Sequence, residues 1–236
     1  MLAYVITSAH ESSRKEQVER LMKDCQFPIQ KVDAIYPSLQ HVPFTARLLE
    51  ASRLRVGKAL LHGELGCLLS HRKVWRDIVS RDPNPKEHFL VFESDSMIMD
   101  AYVLNNSFQK LTQSCDLFFW GAWEGHLKFF RSTIRKEGAK HRTGEPFIKT
   151  AYCTYGYSLN RKAAQLLLKR TARISHPVDQ FKYFFTQDEL KLGGILPEVV
   201  TGNQITSTIR GNDNGWKKRL LLFVLDIKNN FICAFR

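Results

Sequence analysis

No CxxC pair occurs among the five cysteines, Cys25, Cys67, Cys115, Cys153 and Cys233. Their odd number and wide spacing exclude a disulfide framework and a clustered zinc site, and suit a reducing compartment. No run approaches the roughly 18 consecutive apolar residues that cross a bilayer. The longest, 220–225, leaves room only for peripheral membrane contact. The opening MLAYVITSAH lacks the basic region and cleavage site of a signal peptide and reads as a buried strand, so a cytoplasmic location is expected. Internal repeats and low-complexity stretches are also missing. Acidic residues are in deficit, 23 against 35 basic, giving a net charge of +12 and a surface expected to attract polyanions. A hydrophobic fraction of 44% over 236 residues excludes a disordered chain and supplies the core of one globular domain.

The apolar pattern alternates between strand and helix. Residues 2–7 read as a strand, 12–25 as a helix and 29–34 as a second strand, a first β-α-β unit. Residues 36–63 are basic and without a strong period, which predicts an irregular functional loop region. In 64–80, Leu68, His71, Trp75 and Ile78 recur at spacings of three and four, placing His71 on the buried face of a helix. A short apolar strand at 88–92 ends in Glu93–Ser94–Asp95. Further strands are expected at 117–120 and 151–159, with a possible hairpin within 125–149 and a helix capped by Asn160. Such alternation predicts an α/β sandwich with a largely parallel sheet.

The stretch HFLVFESDSMIM carries the clearest chemical signal. An apolar strand that stops at two carboxylates places Glu93 and Asp95 at the carboxyl edge of the sheet, where α/β folds bind ligands. Residues two apart on an extended chain point the same way, so both carboxylates are expected to face one cavity and share a hard divalent cation. A solvated acidic turn is the plain alternative. His71 reads either as a hydrogen-bonded core histidine or as part of a site. Arg14, near the start of the first helix, is suited to a phosphate or to solvent. Phe118, Phe119 and Trp120 read as core, with Trp123 left open as a sugar-stacking ring. Asp179, preceded by proline and followed by an aromatic stretch, is either a helix N-cap or a general base.

Taken in order, SSRKEQVERL, KVDAIYP, GELGCLLSHRKVW, LVFESD, TYGYSLNRKAAQLL and HPVDQF resemble the blocks of glycosyltransferase family 25, which includes bacterial lipooligosaccharide galactosyltransferases. The resemblance implies a GT-A-like nucleotide-binding αβα sandwich with a mostly parallel central sheet, a UDP-sugar donor with galactose the commonest, and Mn2+ or Mg2+ as cofactor. It implies a lipooligosaccharide or other glycan acceptor and, from β-linked products, inversion. On this basis Asp95 would ligate the metal, and Glu93 would support it or hold the ribose. Thr7, Ser8, Arg14, Asp33, Ala34, His71 and Ser94 would line the nucleotide-sugar pocket. Asp179 is the first choice for the base and Asp188 the second. One departure stands out: where the family has E-D-D, this chain has Glu93–Ser94–Asp95.

Residues 1–210 are read as the transferase domain, and 211–236, WKKRLLLFVLDIKNNFICAFR at its end, as a basic amphipathic segment lying on an anionic membrane at the inner face of the inner membrane. A terminal helix packed on the domain is the alternative. Two other functions fit parts of the pattern. A nucleic-acid-binding protein fits the charge, but the basic residues are scattered and no nucleic-acid motif is present, so no nucleic-acid partner is expected. A metal-dependent phosphohydrolase would use Glu93 and Asp95 in the same way.

Overall fold

A computed structural model describes residues 1–81, 84–122, 126–152, 154–202 and 216–235, the last stretch with side chains from 225 onward. Trp123, Cys153 and the expected 210/211 boundary lie outside the described residues. The chain opens with β1 (Ala3–Thr7), α1 (Lys15–Asp24) and β2 (Ile29–Asp33), followed by α2 (Thr45–Val56) and α3 (His62–Ser80). Next come β3 (Phe89–Glu93), β4 (Ser96–Ile98), α4 (Ala101–Thr112) and β5 (Leu117–Phe119). The hairpin of β6 (Arg135–Glu137) and β7 (His141–Gly144), expected within 125–149, precedes β8 (Gly156–Leu159) and α5 (Arg161–Arg170). The order ends with β9 (Leu192–Leu196), β10 (Val200–Gly202) and α6 (Trp216–Phe235).

Eight strands form one sheet in the order β2-β1-β3-β8-β5-β9-β7-β6, while β4 and β10 pair separately. The registers set six of the eight strands in one direction, with β7 and β8 opposed. This is the mixed α/β, GT-A-like sandwich that the sequence predicts, except that β8 is inserted antiparallel between β3 and β5. Strand alternation builds two cores at once. Tyr4, Ile6, Phe89, Val91, Leu117 and Phe119 face a core that includes Leu68 and Trp75 of α3 and Leu167 of α5. Ala3, Val5, Leu90, Phe92, Phe118 and Trp120 face the other core, with Val18 and Leu21 of α1 and Phe108 of α4. Each fully buried phenylalanine contributes about 2–3 kcal/mol, so the aromatic run 118–120 belongs to the core, as expected.

Two expectations need correction. Residues 36–63 are not an irregular loop: α2, Thr45–Val56, occupies the middle of that stretch. Its period is blurred because Leu54 is 72% exposed and only Ser52 of the helix is buried. Asp179 is not a helix cap, because the chain after it makes only a single 3-10 turn, Phe181–Tyr183, preceded by Gln180.

The amino end of β5 is stitched by Asp116. Its Oδ1 accepts from Asn160 Nδ2 at 2.9 Å, and its Oδ2 accepts from Lys162 Nζ at 2.7 Å and from the Lys191 backbone N–H at 2.9 Å. Asn160 in turn caps α5 through the Ala163 N–H. Burial alone would raise the Asp116 pKa, but these bonds outweigh it and hold the carboxyl below its ordinary value.

Candidate active site

β1 pairs in parallel with β2 on one side and with β3 on the other. The winding of the sheet therefore reverses between the carboxyl ends of β1 and β3, the kind of crevice in which open α/β sheets hold ligands. Thr7 ends β1, and its carbonyl accepts from the Ala34 N–H at 2.8 Å. Ser8 comes next, its hydroxyl accepting from the His10 N–H. Asp33 is exposed at the end of β2, and its carbonyl is held by Lys73 Nζ at 2.6 Å. These four residues form the rim predicted from the sequence. Gly66 lets α3 reach that rim, since a Cβ there would stand 2.2 Å from the Ile35 carbonyl oxygen. One turn on, Ser70 Oγ accepts from the Ile35 N–H at 2.8 Å.

β3 stops at Glu93, so strand alternation does not extend to Asp95 as expected. Residues 94 and 95 form a turn, and the three side chains diverge into two connected networks. In the first, Glu93 Oε1 accepts from His71 Nε2 at 3.0 Å, from Cys67 Sγ at 3.6 Å and, through a short bond, from Thr154 Oγ1. His71 is fully buried, and its Nδ1 meets Tyr157 Oη at 2.8 Å. The Trp75 indole N–H donates to that same oxygen. The donor count assigns a Tyr157 O–H to His71 Nδ1 and an Nε2–H to Glu93. Both ring nitrogens of His71 are thus engaged, one by Tyr157 and one by Glu93.

In the second network, Arg14 Nη1 donates to Ser94 Oγ at 2.9 Å and lies 3.3 Å from Glu11 and 3.6 Å from Asp95 Oδ2. Ser94 donates to Glu11 Oε2 at 2.7 Å. An aspartate at 94 would press a further carboxylate against Glu11, which gives the serine departure a physical reason. The turn is pinned by Ser96, whose hydroxyl accepts from the Glu93 N–H and donates to the Tyr155 carbonyl, and by Gln17 on the Ser96 carbonyl.

The electrostatics separate the two acids. Burial raises the Glu93 pKa, but hydrogen bonds from His71, Thr154 and Cys67 outweigh it and leave the group below its ordinary value. Asp95 is pushed up to about 6, by burial first and by the Glu93 charge second, with Arg14 opposing. Asp95 Oδ1 is buried and has no hydrogen-bond partner among the described residues. A buried carboxylate oxygen without a hydrogen-bond partner, on an acid that shares the single Arg14 guanidinium with Glu11 and Ser94, fits a hard divalent cation, and Mg2+ commonly binds through one or two carboxylates plus substrate phosphates. Cys67, His71 and Glu93 also bring one potential ligand atom each to within 4.8 Å of one another. That trio reads as a hydrogen-bonded support. Burial first, then the charges of Glu93 and Asp179, raise the Cys67 pKa well above the ordinary thiol value, and His71 has no ring nitrogen to spare.

Asp179 thus lies within electrostatic reach of Cys67, beside the Glu93 network. Asp188 is exposed and precedes β9, whose first residue pairs with Leu117 at the sheet end remote from Glu93. Sequence reasoning missed Cys67, Thr154, Tyr157 and Glu11. The first had a usable signal, standing four residues before His71 on one helix. The others depend on contacts across 61 to 86 positions.

Residues 1–182 match the family profile described as Glycosyltransferase family 25 (LPS biosynthesis protein). Procollagen galactosyltransferase 1-A of Xenopus laevis is 24% identical over 196 residues, 75% of this chain and 30% of that protein. Procollagen galactosyltransferase 1-B of the same organism is 27% identical over 34% of this chain and 14% of its own length. The procollagen lysyl hydroxylase and glycosyltransferase of Acanthamoeba polyphaga mimivirus is 32% identical over 32% of this chain and 9% of its own. The chain therefore spans less than a third of the length of each of these relatives.

Proposed function

Because the chain belongs to glycosyltransferase family 25, we propose that it moves a hexose, galactose foremost, from a UDP-sugar to a hydroxyl of a lipooligosaccharide or related glycan, with inversion and with Mn2+ or Mg2+. The observation that carries the reading is the buried, unpartnered Asp95 Oδ1 at the sheet's switch point. When bound there, the ion supplies Lewis-acid neutralisation of a departing diphosphate. Asp95 is the residue suited to hold it. Glu93, its Oε1 already accepting from three donors, contributes a fixed charge or a ribose contact. Thr7, Ser8, Asp33 and Ala34 offer the rim for uracil and ribose, and Arg14 holds Ser94 and Asp95 in place while adding positive charge near the phosphates.

Inversion needs one in-line displacement. Asp179 takes the proton of the acceptor hydroxyl as its oxygen bonds to the anomeric carbon, and the bond from that carbon to the diphosphate oxygen breaks with the electron pair going to the diphosphate. The position of Asp179 beside Cys67 and Glu93 favours it over Asp188.

The relatives are named for procollagen and the family profile for LPS biosynthesis; α6 supports the latter class of acceptor. Cys233 packs with Phe130 and Phe147, and Asp226 pairs with Lys128 at 3.1 Å, while Ile227, Phe231 and Phe235 present a stripe that is 55, 66 and 79% exposed. Among the described residues no helix is long and apolar enough to cross a membrane. The stripe and the basic KKR at 217–219 suit an anionic inner leaflet, where a peripheral enzyme meets a lipid-borne sugar. Co-sedimentation with anionic vesicles, falling as salt rises, is expected; absence of binding at every salt concentration sinks the membrane placement.

The donor reading is tested by thermal shift with a panel of UDP-sugars, with and without Mn2+. A metal-assisted rise with a UDP-hexose, lost in Asp95→Ala, is expected. An equal rise in that variant removes Asp95 from the role.

A further inference from the structure

The loop that carries Asp179 also builds an ordered aromatic and cationic wall. Lys182 Nζ lies 4.7 Å from the centre of the Tyr152 ring and 5.0 Å from that of Tyr183, and donates to Tyr152 Oη at 2.8 Å. On Tyr183 the His176 ring stacks at 3.8 Å with planes 12° apart. Tyr183 is still 50% exposed. The wall is tied to the candidate active site at both ends. Tyr152 bridges Gln180, the residue after Asp179, and two positions beyond Tyr152 Thr154 donates to Glu93.

Among the described residues Lys182 has no carboxylate partner. The hydrogen bond to Tyr152 Oη and the ring of Tyr183 fix the ammonium in place but leave its net charge intact. One of its three donors is used on Tyr152, and the other two stay available to an anion. The neighbouring site carries four acids, Glu11, Glu93, Asp95 and Asp179, against the one guanidinium of Arg14, which is engaged by Glu11, Ser94 and Asp95, so its net charge would repel a negatively charged acceptor. A positioned ammonium three residues after Asp179 offsets that repulsion at one point, and Tyr183, with His176 stacked on its ring and Lys182 over it, still offers its remaining exposed ring surface to a sugar.

From this juxtaposition we infer that Tyr152, Lys182, Tyr183 and His176 form an acceptor subsite for a saccharide bearing a carboxylate or phosphate. The inference rests on the glycosyl-transfer reading of the neighbouring site and narrows its acceptor to an acidic sugar.

Calorimetric titration with methyl β-glucuronide, glucose 6-phosphate and neutral methyl β-glucoside tests it without any transfer step. The acidic sugars are expected to bind at least about tenfold more tightly than the neutral one, the effect of one charge-assisted contact. Lys182→Met erases the preference, Lys182→Arg keeps most of it, and Tyr183→Ala weakens all three. Should Lys182→Met fail to fold, wild-type protein near 1 M salt, where the Debye length is about 3 Å, must lose the preference. Equal affinities in the wild type, or a preference that survives Lys182→Met or high salt, overturn the subsite. The wild-type thermal response to UDP-sugars is recorded separately. Its absence with the acid preference intact sinks the transfer reading instead.

Discussion

Asp95 and Asp116 stand at opposite ends of the same sheet and are treated in opposite ways. Asp116 has both oxygens bonded, by a side-chain amide, an ammonium and a backbone N–H, and its pKa is lowered. Asp95 keeps a buried oxygen without a partner, feels the charge of Glu93, and has its pKa pushed up to about 6. The amino end of β5 spends its polar groups on one another, which holds the fold. The carboxyl end of β3 leaves one oxygen unspent although Arg14 stands 3.6 Å from the other, and a buried oxygen without a hydrogen bond in an otherwise well-bonded turn marks a place where something binds.

The sharpest way to break that contrast is to remove each acid. Asp95→Ala is expected to lower product formation by about a thousandfold, as loss of an electrostatic stabiliser of the transition state does, while the melting temperature holds or rises. Activity within tenfold of wild type would make Asp95 an ordinary surface acid. Asp116→Ala is expected to do the reverse. It strands the Lys191 N–H and the Asn160 amide at the entrance to α5 and costs about 3 kcal/mol, read from urea unfolding. Turnover per folded molecule should be unchanged.

The two ends also differ in how far the sequence reveals them. The apolar strand ending in ESD, the three-and-four spacing that buries His71, and the aspartate of HPVDQF are local patterns, and each pointed to a residue in or within electrostatic reach of the candidate site. Asn160 was equally legible as a cap. What joins these residues was not. Thr154 and Tyr157 reach Glu93 and His71 only because β8 is inserted antiparallel between β3 and β5, and strand direction leaves no trace in a run of four residues. Glu11 meets Ser94 across 83 positions. α2 is illegible for another reason: its apolar side chains are partly buried or, at Leu54 and Val56, exposed, so its pattern carries little of the periodicity that marks a helix.

A smaller effect sharpens the comparison through pH. The folded-state pKa of Asp116 lies below the unfolded value near 4, so its ionisation stabilises the fold above about pH 4, and that contribution is lost as pH falls through the folded pKa. Asp95 has the opposite sign. Its folded pKa, about 6, lies above the unfolded value, so the folded state holds the proton more tightly and stability declines as pH rises from about 4 to 6. Two pKa units correspond to about 3 kcal/mol for a dry group, and with a quarter of the side chain exposed about 2 kcal/mol is expected. Measured in a chelator, Asp95→Asn should match wild type at pH 4 and exceed it by about 2 kcal/mol at pH 7. Asp116→Asn should fall below wild type at pH 7 and approach it under acid. Divalent ion restored at pH 7 should close the gap for Asp95 alone, because only there is a cation proposed to take the place of the missing proton. Two difference curves of the same sign would mean that both carboxylates serve the fold.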